Sequence, residues 1–230
     1  MPKKPKAGEN GEFQAAETEK VDSWEEDQND RPYYYDDASG YEKYDPEDDE
    51  EDDDTDPETG LTIWTIGHST RTLDEFLELL KGNDVQAVAD VRTHPGSRKY
   101  PHFNADALSA SLADAGIELV PIKELGGRRR PKPDSANTVW RNMSFRGYAD
   151  HMETPEFGDG IRQLLELAAA KRTTLMCAEA VWWRCHRSMI SDYLKASGVT
   201  VLHIMDAGTK IHPLTSAARI ENGKLIYGPA

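Results

Sequence analysis

The sequence predicts an α/β fold: an open, mainly parallel sheet of about five strands with helices on both faces, preceded by a disordered acidic tail. From Leu61 onward, short β-rich runs alternate with segments of helical periodicity, the pattern of strands joined by crossover helices. Five such runs are too few for an eight-stranded barrel. Charge then divides the chain. Residues 1–60 hold 23 acidic and 6 basic residues, whereas residues 61–230 hold 19 and 21. The overall −15 therefore belongs to the tail, and not to a salt-adapted folded surface.

Within the tail, "PEDDEEDDDTDPE" (46–58) is a block of like charges that buries too little apolar surface to offset chain entropy. Disorder is expected there. Tyr33, Tyr34, Tyr35, Tyr41 and Tyr44 cluster just before it. Such a tail either solubilises the protein or contacts a basic partner, the chain's own basic rim included. No segment approaches the ~20 apolar residues of a membrane span. "MPKKPKAGEN" lacks the hydrophobic stretch of a secretory signal. A cytoplasmic protein with reduced thiols is expected, with no membrane partner.

Residues 61–230 are expected to form one domain. "LTIWTIG" (61–67) reads as the first strand. A helix follows over 69–83, with Thr72 and Glu75 as a capping-box pair and Leu73, Phe76, Leu77 and Leu80 on one face. "VQAVADVR" (85–92) is the second strand; Asn104 then caps a helix that ends at Gly116. "IELVPI" (117–122) is the third strand, followed by a long insertion and one or two helices over roughly 145–171. "RTTLMCAEA" holds the fourth strand, "CHRSMISDYLKASG" a helix, and "VTVLHIMD" the fifth strand. "ARIENGKLIYG" ends the chain with an Asn-Gly hairpin signal.

Ligands of open parallel sheets bind beyond the carboxyl ends of the strands. The unusual polar residues fall at those ends: His68 and Ser69; Asp90, Arg92, Ser97 and Arg98; Gly126 and Gly127; Cys177 and Glu179; His203 and Asp206. A single site at one rim is expected. Placed at the start of a helix, Cys185, His186 and Arg187 would face outward N–H groups, which attract anions and favour thiolate. Arg187 adds a bidentate donor for phosphate or carboxylate.

Other readings of the two cysteines compete. Cys177, Cys185, His186 and His68 could ligate a metal, but the gap between the cysteines is not the short one of structural zinc motifs. Adjacent helical residues also point about 100° apart, which argues against joint chelation by Cys185 and His186. No metal is expected on these grounds. A phosphatase-type loop needs five residues between cysteine and arginine, and six separate Cys177 from Arg184. Plain burial is the remaining option, strongest for Cys177. The runs "GSRKYPHFN" and "GGRRRPKP" mix bases with aromatics or glycines and suit a nucleotide or single-stranded nucleic acid. A near-neutral core excludes a dedicated DNA binder.

"TIGHST" (65–70), "ADVRTHPGSRKYPHFN" (89–104), "ELGG" (124–127) and "LMCAEAVWWRCHR" (175–187), in this order, resemble the domain-of-unknown-function family DUF488. The resemblance spans residues 61–207. It implies a Cys-Ala-Glu step followed by Cys-His-Arg, matched at Cys177, Glu179, Cys185, His186 and Arg187. The family's turn often carries a proline before the second cysteine, where this chain has "VWWR". The resemblance implies a site map and no reaction, and it specifies no cofactor.

Together these readings favour an enzyme, a hydrolase or group transferase, acting on a phosphate-bearing or anionic substrate such as a nucleotide or nucleic-acid component. Cys185, Glu179, His186 and Cys177 are the candidate catalytic residues. His68, Ser69, Arg92, Ser97, Arg98, Gly126, Gly127 and Arg187 are the candidate substrate-binding residues. The competing class is a non-catalytic anion, nucleic-acid or metal binding module regulated by the acidic tail. If that tail covers the basic rim, deleting residues 1–58 raises affinity for polyanions at low salt, as measured by fluorescence anisotropy with a labelled oligonucleotide. Unchanged affinity would rule the contact out.

Overall fold

The computed structural model describes residues 60–228, so the acidic tail lies outside the described residues apart from Gly60. The elements follow in the order β1 (Thr62–Gly67), α1 (Leu73–Gly82), β2 (Ala87–Asp90), α2 (Ala105–Asp114), β3 (Glu118–Pro121), α3 (Met143–Met152) and α4 (Pro155–Ala170). After these come β4 (Thr173–Cys177), α5 (Arg187–Ala196), β5 (Thr200–Met205), β6 (Gly208–Ile211), β7 (Ala218–Glu221) and β8 (Lys224–Tyr227). Local chemistry accounts for several boundaries. The Glu75 amide donates to the Thr72 hydroxyl at 3.2 Å, and the Thr72 amide donates to the Glu75 carboxylate at 2.7 Å, which completes the capping box of α1. Asn104 stands at the N-cap position of α2, but its side-chain oxygen accepts from the Ser97 amide at 2.6 Å. It closes the 97–104 loop instead of capping. Asn222 and Gly223 both take positive φ, the type I′ geometry that joins β7 to β8.

The main sheet has six strands in the order β3-β2-β4-β1-β5-β6. The five expected strands are mutually parallel. The sixth, β6, adds antiparallel to β5 at the edge. It is short, largely exposed and carries no hydrophobic alternation, so only its pairing defines it.

All five residues of β4 are buried, as a central parallel strand covered on both faces requires. Alternate side chains enter two separate cores. On one face Ile63, Ala89, Leu175 and Cys177 pack with Phe145, Ile161, Met189 and Ile190 from α3, α4 and α5. On the other, Trp64, Ile66, Val88 and Met176 pack with Phe76, Leu80, Leu108 and Leu112 from α1 and α2. Chain exits from β1 and β2 therefore lead to the second face, and those from β3 and β4 to the first. Because β4 lies between β2 and β1, the exits diverge on both of its sides. That divergence is the switch point where open α/β sheets form their crevice. No helix among the described residues is long and apolar enough to cross a membrane.

Past the switch point, β1 and β4 remain in contact. The His68 amide donates to the Cys177 carbonyl at 3.0 Å, and the Ser69 amide to the Ala178 carbonyl at 2.9 Å. A Cβ on Gly67 would collide with the Glu179 carbonyl and crowd the Arg187 guanidinium. Gly67→Ala is therefore expected to destabilise the fold by about 1–3 kcal/mol in urea unfolding. Wild-type stability would mean that this loop yields without strain.

Candidate functional site

Cys177 closes β4, and Cys185 stands just ahead of α5. The helix start expected at Cys185 falls two residues later. A short 3-10 turn over Trp182–Arg184 leaves Cys185 extended (φ −142°, ψ 168°), His186 is the N-cap, and Arg187 is the first helical residue. Cys185 and His186 consequently escape the angular divergence of neighbouring helical side chains. Both sulfurs and one ring nitrogen of His186 lie within 4.8 Å of one another. The His186 Nε2–H donates to the Val91 carbonyl at 3.2 Å. Its ring packs against Tyr148 at 5.0 Å between centroids. On its other side is Gly127, where any Cβ would press on Nδ1. The Thr93 hydroxyl donates to the Gly127 carbonyl at 2.7 Å and holds that glycine in place.

Arg187 is 1 % exposed. Its Nε donates to the Cys185 sulfur at 3.2 Å, and one terminal nitrogen donates to both the Glu179 carbonyl at 2.6 Å and the Ala180 carbonyl at 3.3 Å. Among the described residues no carboxylate lies within ion-pair distance of this guanidinium. Among the described residues its charge is answered by sulfur, carbonyl and hydroxyl atoms. Glu179 contributes its backbone here, while its carboxylate stands on an exposed residue of the loop.

The remaining Arg187 nitrogen opens a buried chain of hydrogen bonds. It donates to the Thr65 hydroxyl at 3.4 Å, which lies 2.7 Å from His203 Nδ1. His203 Nε2 meets His212 Nδ1 at 2.9 Å, and His212 Nε2 meets Asp192 at 3.1 Å. Burial pushes both histidines below the usual imidazole pKa, so both are neutral and each bond has one direction. Thr65 donates to His203, His203 to His212, and His212 to Asp192. Thr215 and Tyr227 donate to the same carboxylate. Trp182 stacks flat on His203 at 4.3 Å.

The two sulfurs titrate as a pair. The hydrogen bond from Cys185 is the largest cause that lowers the Cys177 thiol, to about 7, with Arg187 and the Glu179 and Ala178 amides assisting against burial. Burial, followed by the proton donated to Cys177, raises Cys185. Arg187 Nε nonetheless touches Cys185, so its charge favours the thiolate form of the couple as a whole. Burial lowers His186 as well, and the imidazole is neutral.

The residues expected at one rim divide between the two faces. Cys177, Cys185, His186, Arg187 and Gly127 gather with Thr65 on the α5 side. His68 and Arg92 gather on the opposite face, where His68 stacks on Phe103 at 4.2 Å. Arg92 is spent on structure: it grips Asp90 through two bonds, of 2.8 and 2.7 Å, and donates to the Phe103 carbonyl at 2.7 Å. Ser97 accepts from the Tyr100 amide, Ser69 accepts from His68, and Gly126 accepts from Arg129; each serves its own loop. Arg98 is exposed. Sequence reading missed Thr65, His212 and Asp192. One signal was present: Asp192 and Ser188 fall on the core face of a helix whose period places Met189 there.

On that opposite face, burial first and Arg92 second lower His68 to about 4. The unfolded chain therefore takes up this proton first, and stability contributed by neutral His68 declines as pH falls from 6.5 towards about 4. His68→Gln removes that linkage. Between about pH 7.5 and about pH 4.5 the urea midpoint is expected to fall further for wild type than for the variant. Equal falls would show that His68 carries no such linkage.

Neither the curated proteins nor the solved structures contain a match to this chain. A family model does match, over residues 72–194, from the start of α1 to within α5, which takes in Cys177, Cys185, His186 and Arg187. That span is just over half of the chain, and the protein belongs to the family described as domain of unknown function DUF488.

Proposed function

We propose that the protein is a thiol-dependent enzyme, a hydrolase or group transferase, acting on a phosphate-bearing or otherwise anionic substrate such as a nucleotide or nucleic-acid component. The observation that carries this reading is Arg187: a buried guanidinium with no carboxylate among the described residues in ion-pair reach, 3.2 Å from the Cys185 sulfur. A cation so placed favours negative charge on the sulfur pair and in the space beside it. In the reaction, one sulfur of the pair attacks an electrophilic carbon or phosphorus while the free Nδ1 of His186 or the Glu179 carboxylate takes up the thiol proton and passes it to the departing leaving group. Water or a second substrate then releases the sulfur. Exposed Arg98, Lys99 and Arg128 on the loops after β2 and β3 give the same edge a basic rim for an anion.

Iodoacetamide labelling of the EDTA-treated native chain at neutral pH tests the reading. Labelling within minutes is expected, mapped to Cys177 or Cys185 and slowed by inorganic phosphate or a nucleotide. Arg187→Gln is expected to slow it about tenfold or more, one pKa unit of thiolate stabilisation being equivalent to about 1.4 kcal/mol. Thiols that label only on unfolding would point to a binding module instead.

A further inference from the structure

We propose that Cys177, Cys185 and His186 form a binding site for one thiophilic metal ion, zinc(II) being the ion that suits the donor set. Two sulfurs and one imidazole nitrogen within 4.8 Å of one another need only small side-chain rotations to meet a common ion. Tetrahedral zinc has bonds of about 2.0–2.3 Å, which separates its ligand atoms by roughly 3.3–3.8 Å. A soft donor set of this kind selects zinc or copper(I) over magnesium or calcium.

The surroundings are those of a ligand set. The Val91 carbonyl takes the Nε2 proton of His186 and leaves Nδ1 as the ring's lone-pair nitrogen. A hydrogen bond from the far ring nitrogen to a carbonyl is the arrangement that orients metal-binding histidines. Gly127 keeps the space next to Nδ1 clear, which no other residue at that position would. Cys185 accepts from the Arg187 amide at 3.4 Å and from its Nε at 3.2 Å, bonds that offset the charge of a coordinated thiolate. On binding, both sulfurs act as thiolates and their protons leave to solvent. Two thiolates balance a divalent ion, so the Arg187 cation remains to favour an anion or hydroxide as fourth ligand.

The consequence for activity rests on the thiol-enzyme reading: a bound ion occupies the sulfurs and silences them as nucleophiles. The binding stands on the donor atoms alone. The test uses the full-length, EDTA-treated chain titrated with cobalt(II). The acidic tail also attracts divalent ions, but carboxylate oxygens give no near-ultraviolet thiolate-to-cobalt band. That band is expected to saturate at one ion per chain, to be displaced by zinc(II) and to resist magnesium(II). Cys177→Ser and Cys185→Ser abolish it. His186→Gln and Gly127→Ala, which keep both sulfurs, weaken cobalt affinity about tenfold or more. Absence of the band in the wild type overturns the metal site and leaves the thiol enzyme standing. Wild-type affinity in both His186→Gln and Gly127→Ala overturns it too, because the cysteines would then bind without the histidine. A saturating band in a chain whose metal-free thiols resist iodoacetamide upholds the metal site and removes the thiol enzyme.

Discussion

A full positive charge, buried with no carboxylate among the described residues in ion-pair reach, is the constraint around which this edge of the sheet is organised. Burying Arg187 costs several kcal/mol unless every donor finds an acceptor. The chain meets that demand by curling the loop after β4 so that the Glu179 and Ala180 carbonyls and the Cys185 sulfur converge on one guanidinium. The curl brings the loop backbone onto β1, and only glycine at position 67 accommodates it. It also keeps Cys185 extended and out of α5, which brings the second sulfur to the first. Local backbone geometry, sulfur chemistry and the buried cation are one arrangement.

A buried carboxylate stands at the far end of the hydrogen-bond chain. Asp192 is fully buried in α5 and accepts from four groups, His212, the Thr215 amide, the Thr215 hydroxyl and Tyr227. Between it and Arg187 stand Thr65, His203 and His212, all neutral and all donating in the same sense. Aligned bonds of this kind polarise one another in a low-dielectric interior. The chain ties β1, β5, α5 and the segments around β6 and β8 to the orientation of the guanidinium, and through it to the sulfurs.

The five parallel strands, the helices between them and the terminal hairpin were legible in the sequence, because each rests on a local signal: alternation, a capping box, an Asn-Gly turn. Edge strand β6 lacked such a signal and is defined by pairing with β5. The cluster of Cys177, Cys185, His186 and Arg187 was legible as residues but not as geometry. The helix was read two residues early, and with it came the argument against joint ligation. Placement of His68 and Arg92 with the cysteines failed for a different reason. Carboxyl ends of strands share an edge, but the side chains there still alternate between faces, and strand order decides which helices cover each face. His203 was visible as a polar residue of the fifth strand; its partners were not, because Asp192 and His212 come from α5 and the residue after β6, which only the tertiary fold brings together.

Strand β1 separates the two clusters and takes part in both. Thr65 belongs to the sulfur side, Ile66 to the opposite core, and His68 beyond the strand end to the Phe103 stack. Side chains alternate with a period of two, so slipping β1 by a single position against β4 would turn Thr65 away from Arg187 and bring an apolar neighbour to the relay. In most sheets such an error is penalised by misplaced hydrophobic groups alone. Here it would also leave a guanidinium N–H without its acceptor and an imidazole nitrogen without its donor, so polar pairing discriminates against misregistered folds alongside packing.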